Sequence, residues 1–263
     1  MSYLQQHVYA GSGIVLDAEK QYLLEARLAP ILRERGLASL NELCELLRSN
    51  RSSPLHNQVV EAMTTNETYF FREPGHYEAL RQSILPELIV QHSSTRKLTC
   101  WSAASSTGQE AYSLAMMLLE MGLGGWNIEI LGTDLAARVL RQAESGRYSQ
   151  LEVNRGLPVM LLLKYFRRVG LDWELNEDVR KMVRFRSFDL RSGMRSLGPF
   201  DIVFCRNVLI YFDMPTKRRI LEEIHGSLFR GGYLLVGATE AGLPTSDRFT
   251  RRAIGGAVVY VAS

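Results

Sequence analysis

Leu98-Thr99-Cys100-Trp101 runs without a break into Ser102-Ala103-Ala104-Ser105-Ser106-Thr107-Gly108-Gln109-Glu110, and this stretch decides the fold. The short apolar run predicts a strand, the small residues a turn, and the pattern at 109–121 a helix. Every side chain from 102 to 108 is small. A tight, closely packed turn would explain that, and so would a ligand approaching the backbone. The loop is not GxGxxG, and the chain holds neither that string nor a GxxxxGK[ST] or GxSxG motif.

Outward from this unit the same alternation continues. Strands are expected at Ile128–Thr133, Val183–Phe188, Asp201–Cys205, Tyr233–Ala238 and Ala257–Ala262, with helices at 135–145 and 214–229. Strand–helix alternation predicts a parallel sheet covered on both faces. The piece 165–187 is short, charged and strand-like, and is expected to form a small antiparallel insertion. The first eighty residues carry helical spacing only. Leu24, Leu28, Ile31 and Leu32 recur over Asp17–Arg35, with Pro30 expected to bend or split the run. Ser39 and Glu42 form a capping-box signature before Leu43, Leu46 and Leu47, Ser52-Ser53-Pro54 breaks that helix, and another runs from Leu55 to Met63. The domains expected are 1–80, helical with a linker at 63–75, and 81–263.

Composition bounds the function. Of 263 residues, 46% are hydrophobic and 22% charged, an ordinary globular balance. No run approaches the roughly 18 apolar residues of a membrane-spanning helix, and the first fifteen lack the basic start and apolar run of a leader. Cys44, Cys100 and Cys205 are odd in number and far apart, which fits a reducing cytoplasm. The five histidines share no ligand spacing with each other or with cysteine, so no metal is expected. The net charge of +3 is too mild to imply nucleic acid, but residues 1–75 carry −2 and the remainder +5. Between Lys164 and Arg195 nine basic residues face five acidic ones, either a solvated surface or one suited to an acidic partner.

In open parallel sheets ligands bind beyond the carboxyl ends of the strands. Asp134 closes the second strand, where a carboxylate accepts ribose hydroxyls in nucleotide-binding units; capping the next helix is its other reading. Asp189 and Leu190 end the third strand, placed for an adenine ring. Met63-Thr64-Thr65-Asn66-Glu67-Thr68-Tyr69-Phe70-Phe71-Arg72 joins the two regions. Thr65 as a cap and aromatics as an interface plug explain much of it, but not Arg72.

Five motifs in this order, TTNETYFFR, WSAASSTGQEAYSLAM, LGTDLAARVLRQAESGRY, FDIVFCRNVLIYFD and GGYLLVGATE, resemble the bacterial chemotaxis-receptor (protein-glutamate) O-methyltransferase family, CheR type. The resemblance spans about residues 63–262, and the helical N-terminus agrees in length and pattern. It implies a Rossmann-like S-adenosylmethionine methyltransferase sheet with a small antiparallel β insertion, preceded by an all-α N-terminal domain. It further implies methyl transfer from S-adenosylmethionine to chemoreceptor glutamates, giving methyl esters and S-adenosylhomocysteine without a metal.

Residue by residue, the resemblance makes Asn66, Thr68 and Arg72 the positions that close over the cofactor, with Ala104 in the loop beneath. Glu110 falls near the methionine ammonium, Asp134 on the ribose, and Asp189 and Leu190 on the adenine side. That adenine pair is commonly Asn-Leu; aspartate still accepts from the amino group but cannot donate. Arg206 and Asn207 stand at the fourth strand's end with Tyr211 below. Arg72 is placed to hold the incoming carboxylate and Tyr211 to line the methyl channel, a core aromatic being the other reading of Tyr211. The expected partner is the receptor's cytoplasmic helical bundle, met by a cytoplasmic monomer with no membrane insertion and no nucleic acid. Two other readings stand beside it. One is the same chemistry on a chemotaxis-like pathway that does not control flagella. The other is a non-catalytic docking module, which predicts loss of Arg72 or Asp134. In the family the insertion can bind a receptor's C-terminal peptide, but here Arg167–Glu174 is short and lacks the Gly-rich loop of peptide-dependent members.

Overall fold

The computed structural model describes residues 2–16, 21–50, 53–242 and 247–263. They fall into two compact units, one of 1–65 with 211–217 and one of 66–210 with 218–263.

The first unit is helical: α1 (Tyr3–Ser12), α2 (Gln21–Arg35), α3 (Leu40–Ser49) and α4 (Leu55–Met63). Ser2 and Gln5 cap α1 reciprocally, and Gly13 ends it in the left-handed conformation at φ 75°. α2 runs unbroken through Pro30, so the expected split does not occur; Asp17, where that helix was expected to begin, and Ser52 in the following break lie outside the described residues. Only half of the box at α3 forms. Ser39 Oγ accepts from the Glu42 N–H at 3.3 Å, while the Glu42 carboxylate turns to the Ala38 N–H at 2.9 Å. Leu4, Val8, Leu28, Leu43, Leu47, Val59 and Met63 form the core. The distant segment completes this unit: the Val15 N–H donates to the Tyr211 carbonyl at 2.9 Å and the Tyr9 hydroxyl to Asp213 Oδ2 at 2.7 Å.

The second unit begins with α5 (Pro74–Ala79), a π-helical turn at Leu80–Ile84 and α6 (Leu85–Gln91). Then come β1 (Lys97–Ala103), α7 (Gln109–Glu120), β2 (Asn127–Asp134), α8 (Ala137–Ser145), β3 (Arg147–Tyr148), α9 (Gln150–Asn154) and α10 (Val159–Tyr165). β4 (Phe166–Val169), β5 (Asp172–Leu175), α11 (Glu177–Arg180), β6 (Val183–Ser187), β7 (Phe200–Cys205), α12 (Met214–Gly226), β8 (Leu228–Val236), β9 (Phe249–Ile254) and β10 (Ala257–Ala262) follow. The large sheet has the order β6-β2-β1-β7-β8-β10-β9. Its first five strands are parallel and its last two antiparallel. The small antiparallel sheet, β3-β5-β4, starts at Arg147, earlier than the expected insertion. The last strand of the segment 165–187 pairs instead with β2 in the large sheet.

The central strands are buried on both faces, as expected, but the two faces are covered differently. Right-handed crossovers from β1 to β2 to β6 put α7 and α8 on one face. There Leu98, Cys100, Ile130, Val183, Ile202 and Phe204 pack with Tyr112, Ala115 and Leu118. The return from β6 to β7 must cross the other face, and residues 188–199 do so without a helix. Phe188 and Phe200 cover Trp101 there, with ring centroids 6.2 and 5.6 Å away.

Candidate functional site

The carboxyl ends of β1, β2 and β7 converge on the small-residue loop. Ala104, Ser106 and Gly108 all take left-handed backbone conformations, at φ 56°, 51° and 90°. The loop therefore winds tightly and aims its N–H groups inward instead of continuing as strand. A Cβ at Gly108 would come within 2.9 Å of both Ala143 Cβ and Phe185 Cζ, so packing as well as conformation requires glycine there.

Asp134 sits at the end of β2 and is 6% exposed. Its Oδ2 accepts the Ser106 N–H and its Oδ1 the Ala136 N–H, both at 2.9 Å. One oxygen thus holds the backbone just before α8, whose cap position is Ala136, not Asp134, and the other holds the loop. Ser106 Oγ in turn donates to the Asn66 carbonyl at 2.7 Å, tying the 66–72 segment to the loop. Thr68 is half-buried in that segment. Phe70 beside it is wholly buried, its ring packed edge-on against Tyr148 and Phe166.

Glu110, in the first turn of α7, is held from two sides. Its Oε1 accepts from Ser102 Oγ at 2.7 Å and its Oε2 from Arg206 Nη1 at 2.8 Å. The Arg206 side chain is 1% exposed, and its Nη2 also reaches Glu73 at 3.3 Å and the Arg72 carbonyl. Arg72 itself donates to the Glu67 carbonyl at 2.9 Å and lies 5.6 Å from the Tyr69 ring centre. Asn207 is held at φ 57°. Its N–H donates to Glu240 at 2.7 Å and its side-chain amide to Glu73 at 3.1 Å.

Glu73 and Glu240 carry no site role in the sequence reading, yet they organise this end of β7. Glu240 is 1% exposed and accepts the N–H groups of Asn207, Ile210 and Gly237 at 2.7, 3.2 and 2.8 Å. Burial would raise the Glu73 carboxyl, but Arg206, the Asn207 amide, His76 and the Ala238 N–H outweigh it and hold it low. His76, buried beside it, is pushed down by burial and by Arg206. The signal for Glu240 lay inside the motif GGYLLVGATE; Glu73 had none beyond following Arg72.

Asp189 does not stand open at the third strand's end. Its carboxylate accepts from Arg191 Nε at 3.0 and 3.1 Å and from Nη2 at 2.6 Å, while Leu190 beside it is buried. Tyr211 groups with the helical unit and packs against its core. The remaining positions, Asn66, Thr68, Arg72, Ala104, Glu110, Asp134, Asp189, Leu190, Arg206 and Asn207, all lie in the second unit.

Residues 66–254 match the family described as CheR methyltransferase, SAM binding domain, and residues 1–64 match CheR methyltransferase, all-alpha domain. The chain belongs to the CheR methyltransferase family. Among its CheR relatives is chemotaxis protein methyltransferase 1 of Pseudomonas aeruginosa, 45% identical over 235 residues, 87% of this chain and 85% of that one. Chemotaxis protein methyltransferase Cher2 of Pseudomonas putida is 42% identical, covering 88% and 87% of the two chains. The chemotaxis protein methyltransferase of Vibrio parahaemolyticus is 38% identical, covering 94% and 91%. The protein is thus a CheR-type, S-adenosylmethionine-dependent chemotaxis methyltransferase.

The CheR site fits that cofactor on its own geometry. Ser105 Oγ, in the loop between Glu110 and Asp134, is buried without a hydrogen-bond partner, and buried polar atoms are ordinarily satisfied, so it is placed for a polar ligand. Among the described residues no group of three or more His, Cys, Asp and Glu side chains is arranged to hold a metal, and no helix is long and apolar enough to cross a membrane.

Proposed function

We propose that this enzyme, in the cytoplasm, esterifies glutamate side chains on chemoreceptor helical bundles for sensory adaptation and releases S-adenosylhomocysteine. One observation carries the reading. Glu110 in the first turn of α7 and Asp134 at the end of β2 flank a loop of small residues closed behind by the buried Arg206. The names of the relatives, each a chemotaxis protein methyltransferase, support the substrate class.

Within this proposal, Glu110 faces the methionine ammonium and Asp134 accepts the ribose hydroxyls. Ala104 permits close backbone approach, and Asp189 and Leu190 border the adenine. Asn66 and Thr68 close over the top, with Arg206 and Asn207 forming the wall at β7. When bound, S-adenosylmethionine supplies the methyl group on a sulfonium, a good leaving group. With the cofactor held by Glu110 and Asp134, a receptor glutamate presented by Arg72 would take that methyl group on one carboxylate oxygen, leaving the neutral thioether of S-adenosylhomocysteine.

No catalytic base is required. A glutamate carboxyl, with a reference pKa of about 4.3, is already ionised at neutral pH. The enzyme's task is alignment and exclusion of water, and such positioning is worth roughly 7–11 kcal/mol. Arg72, on the segment tied to the loop through Asn66, is the group we assign to the incoming carboxylate.

The test pairs a product assay with a variant. Radiolabelled S-adenosylmethionine and receptor membranes should yield base-labile methyl esters. Arg72→Ala should lower turnover far more than cofactor affinity, and Arg72→Lys should recover only part, because an ammonium lacks the planar two-pronged contact. Base-stable label would sink the glutamate assignment; near-normal turnover of Arg72→Ala at saturating receptor would sink the role of Arg72.

A further inference from the structure

The return crossing from β6 to β7 leaves a groove of about 1010 Å³ over the amino-terminal half of the large sheet. Its floor comes from the sheet face opposite α7. Thr99 pairs with Glu129 and Leu131 with Arg184, so alternate residues of three strands share that face. The segment 196–200 forms one wall, and Phe229, 40% exposed, stands at the rim. Parallel strands are almost always covered on both faces, and helices do the covering. The gap lies where the crossover helix of such a unit would run.

The charges say what would fill it. Lys97 pairs with Glu129 at 3.3 Å, Lys181 with Asp178 at 2.6 Å, and the buried Asp201 with His92 at 2.7 Å. Asp201 is further satisfied by the Thr99 N–H and hydroxyl, at 2.8 and 2.9 Å. Arg184 and Arg186 are different. Both are exposed, and among the described residues neither has a carboxylate partner. They are two residues apart on a strand, hence on one face and roughly 6.6 Å apart. Carboxylates four residues apart on a helix are separated by about 6 Å along its axis. Leu131, Met182, Leu197 and Phe229 line the same groove with apolar surface.

We propose that this groove docks an acidic amphipathic helix of a partner protein, its carboxylates on Arg184 and Arg186 and its apolar side on Leu131, Met182, Leu197 and Phe229. The groove opens over the amino-terminal half of the strands, and Arg186 marks its upper limit, in register with Thr133 one residue before Asp134. The proposal stands apart from the identity of the methylated residue.

The test uses the full-length protein and a fluorescein-labelled, side-chain-stapled peptide of about 15 residues, near the length at which an isolated helix becomes marginally stable. The peptide carries leucines on one face and glutamates four apart beside them. Anisotropy should show saturable binding, weakened at least about tenfold by the double change Arg184→Glu, Arg186→Glu and weakened also by Phe229→Ser. Unchanged far-ultraviolet circular dichroism and unchanged unfolding midpoints show that these variants are folded. Methyl NMR shifts should appear at Leu131, Met182 and Leu197. Equal affinity for wild type and the double variant would overturn the proposal, as would no binding by wild type. Equal binding of a lysine-for-glutamate peptide, or equally effective displacement by duplex DNA, would reduce the surface to a non-specific one and also overturn it.

Discussion

At the scale of single residues, the site is built from carboxylates that hold backbone as well as ligand. Asp134 shows the consequence. It accepts from Ser106 and Ala136, so its removal frees two N–H groups in addition to any ribose contact. Asp134→Ala should weaken S-adenosylhomocysteine binding by about 1.5–3 kcal/mol, the range for hydrogen bonds to a charged group. Calorimetry well below the variant's unfolding midpoint checks this, and unaltered affinity would remove Asp134 from the site. Asp134 and Glu110 were legible in the sequence because strand ends and helix starts have a pattern. Glu73 and Glu240 were not. The partners of Glu240 are the N–H groups of Asn207, Ile210 and Gly237, and backbone donors leave no residue-type signature; Glu73 meets Arg206, the Asn207 amide and the Ala238 N–H, all far along the chain from it. Asp189 holds a partner that strand-end logic does not anticipate: Arg191, only two positions on, donates to both of its oxygens.

At the scale of elements, the loop between β1 and α7 is where backbone conformation carries function. Three left-handed residues in five fold it back on itself, and one of them is glycine for want of space. Gly108→Ala should cost about 1–2 kcal/mol from conformation alone, with the clash against Ala143 and Phe185 added to it. Urea unfolding should register the loss, and cofactor affinity should fall with it because the loop must shift. An unchanged midpoint together with unchanged affinity would show that the turn tolerates a side chain. The parallel strands were legible from apolar runs such as Ile202-Val203-Phe204, buried on both faces. β9 was not, because Thr250, Arg251, Arg252 and Ala253 face water on an edge and break the run. The helices α5, α6, α9 and α10 were equally hidden, each only five to seven residues long and lacking a full turn-by-turn repeat.

At the scale of the whole molecule, charge and connectivity outweigh any one contact. We expect the nine basic and five acidic residues between Lys164 and Arg195 to steer acidic partners, although Lys164, Arg167, Arg180, Lys181 and Arg191 are paired within the chain. Such steering acts on association and is screened over about 8 Å at physiological salt. Raising ionic strength should lower the methylation rate at limiting receptor while leaving the saturated rate nearly unchanged. Because the β4–β5 connection is short, a receptor without its C-terminal tail should be methylated almost as well. Loss of methylation on tail removal, or a salt-independent limiting rate, would refute this picture of encounter. The helical unit's start was legible from leucine spacing, but not its completion by Tyr211–Lys217, since nothing local marks a segment that belongs to a partner so far back in the chain. That completion sets a schedule for synthesis. Helices α1 to α4 leave the ribosome while the carbonyl that accepts the Val15 N–H has yet to be translated. At 5–20 residues per second, roughly 10–30 s separate the two. During that interval the nascent helices lack their closing segment, so a truncated message or a stalled ribosome would release an open helical fragment, and chaperones would meet this protein first at its amino terminus.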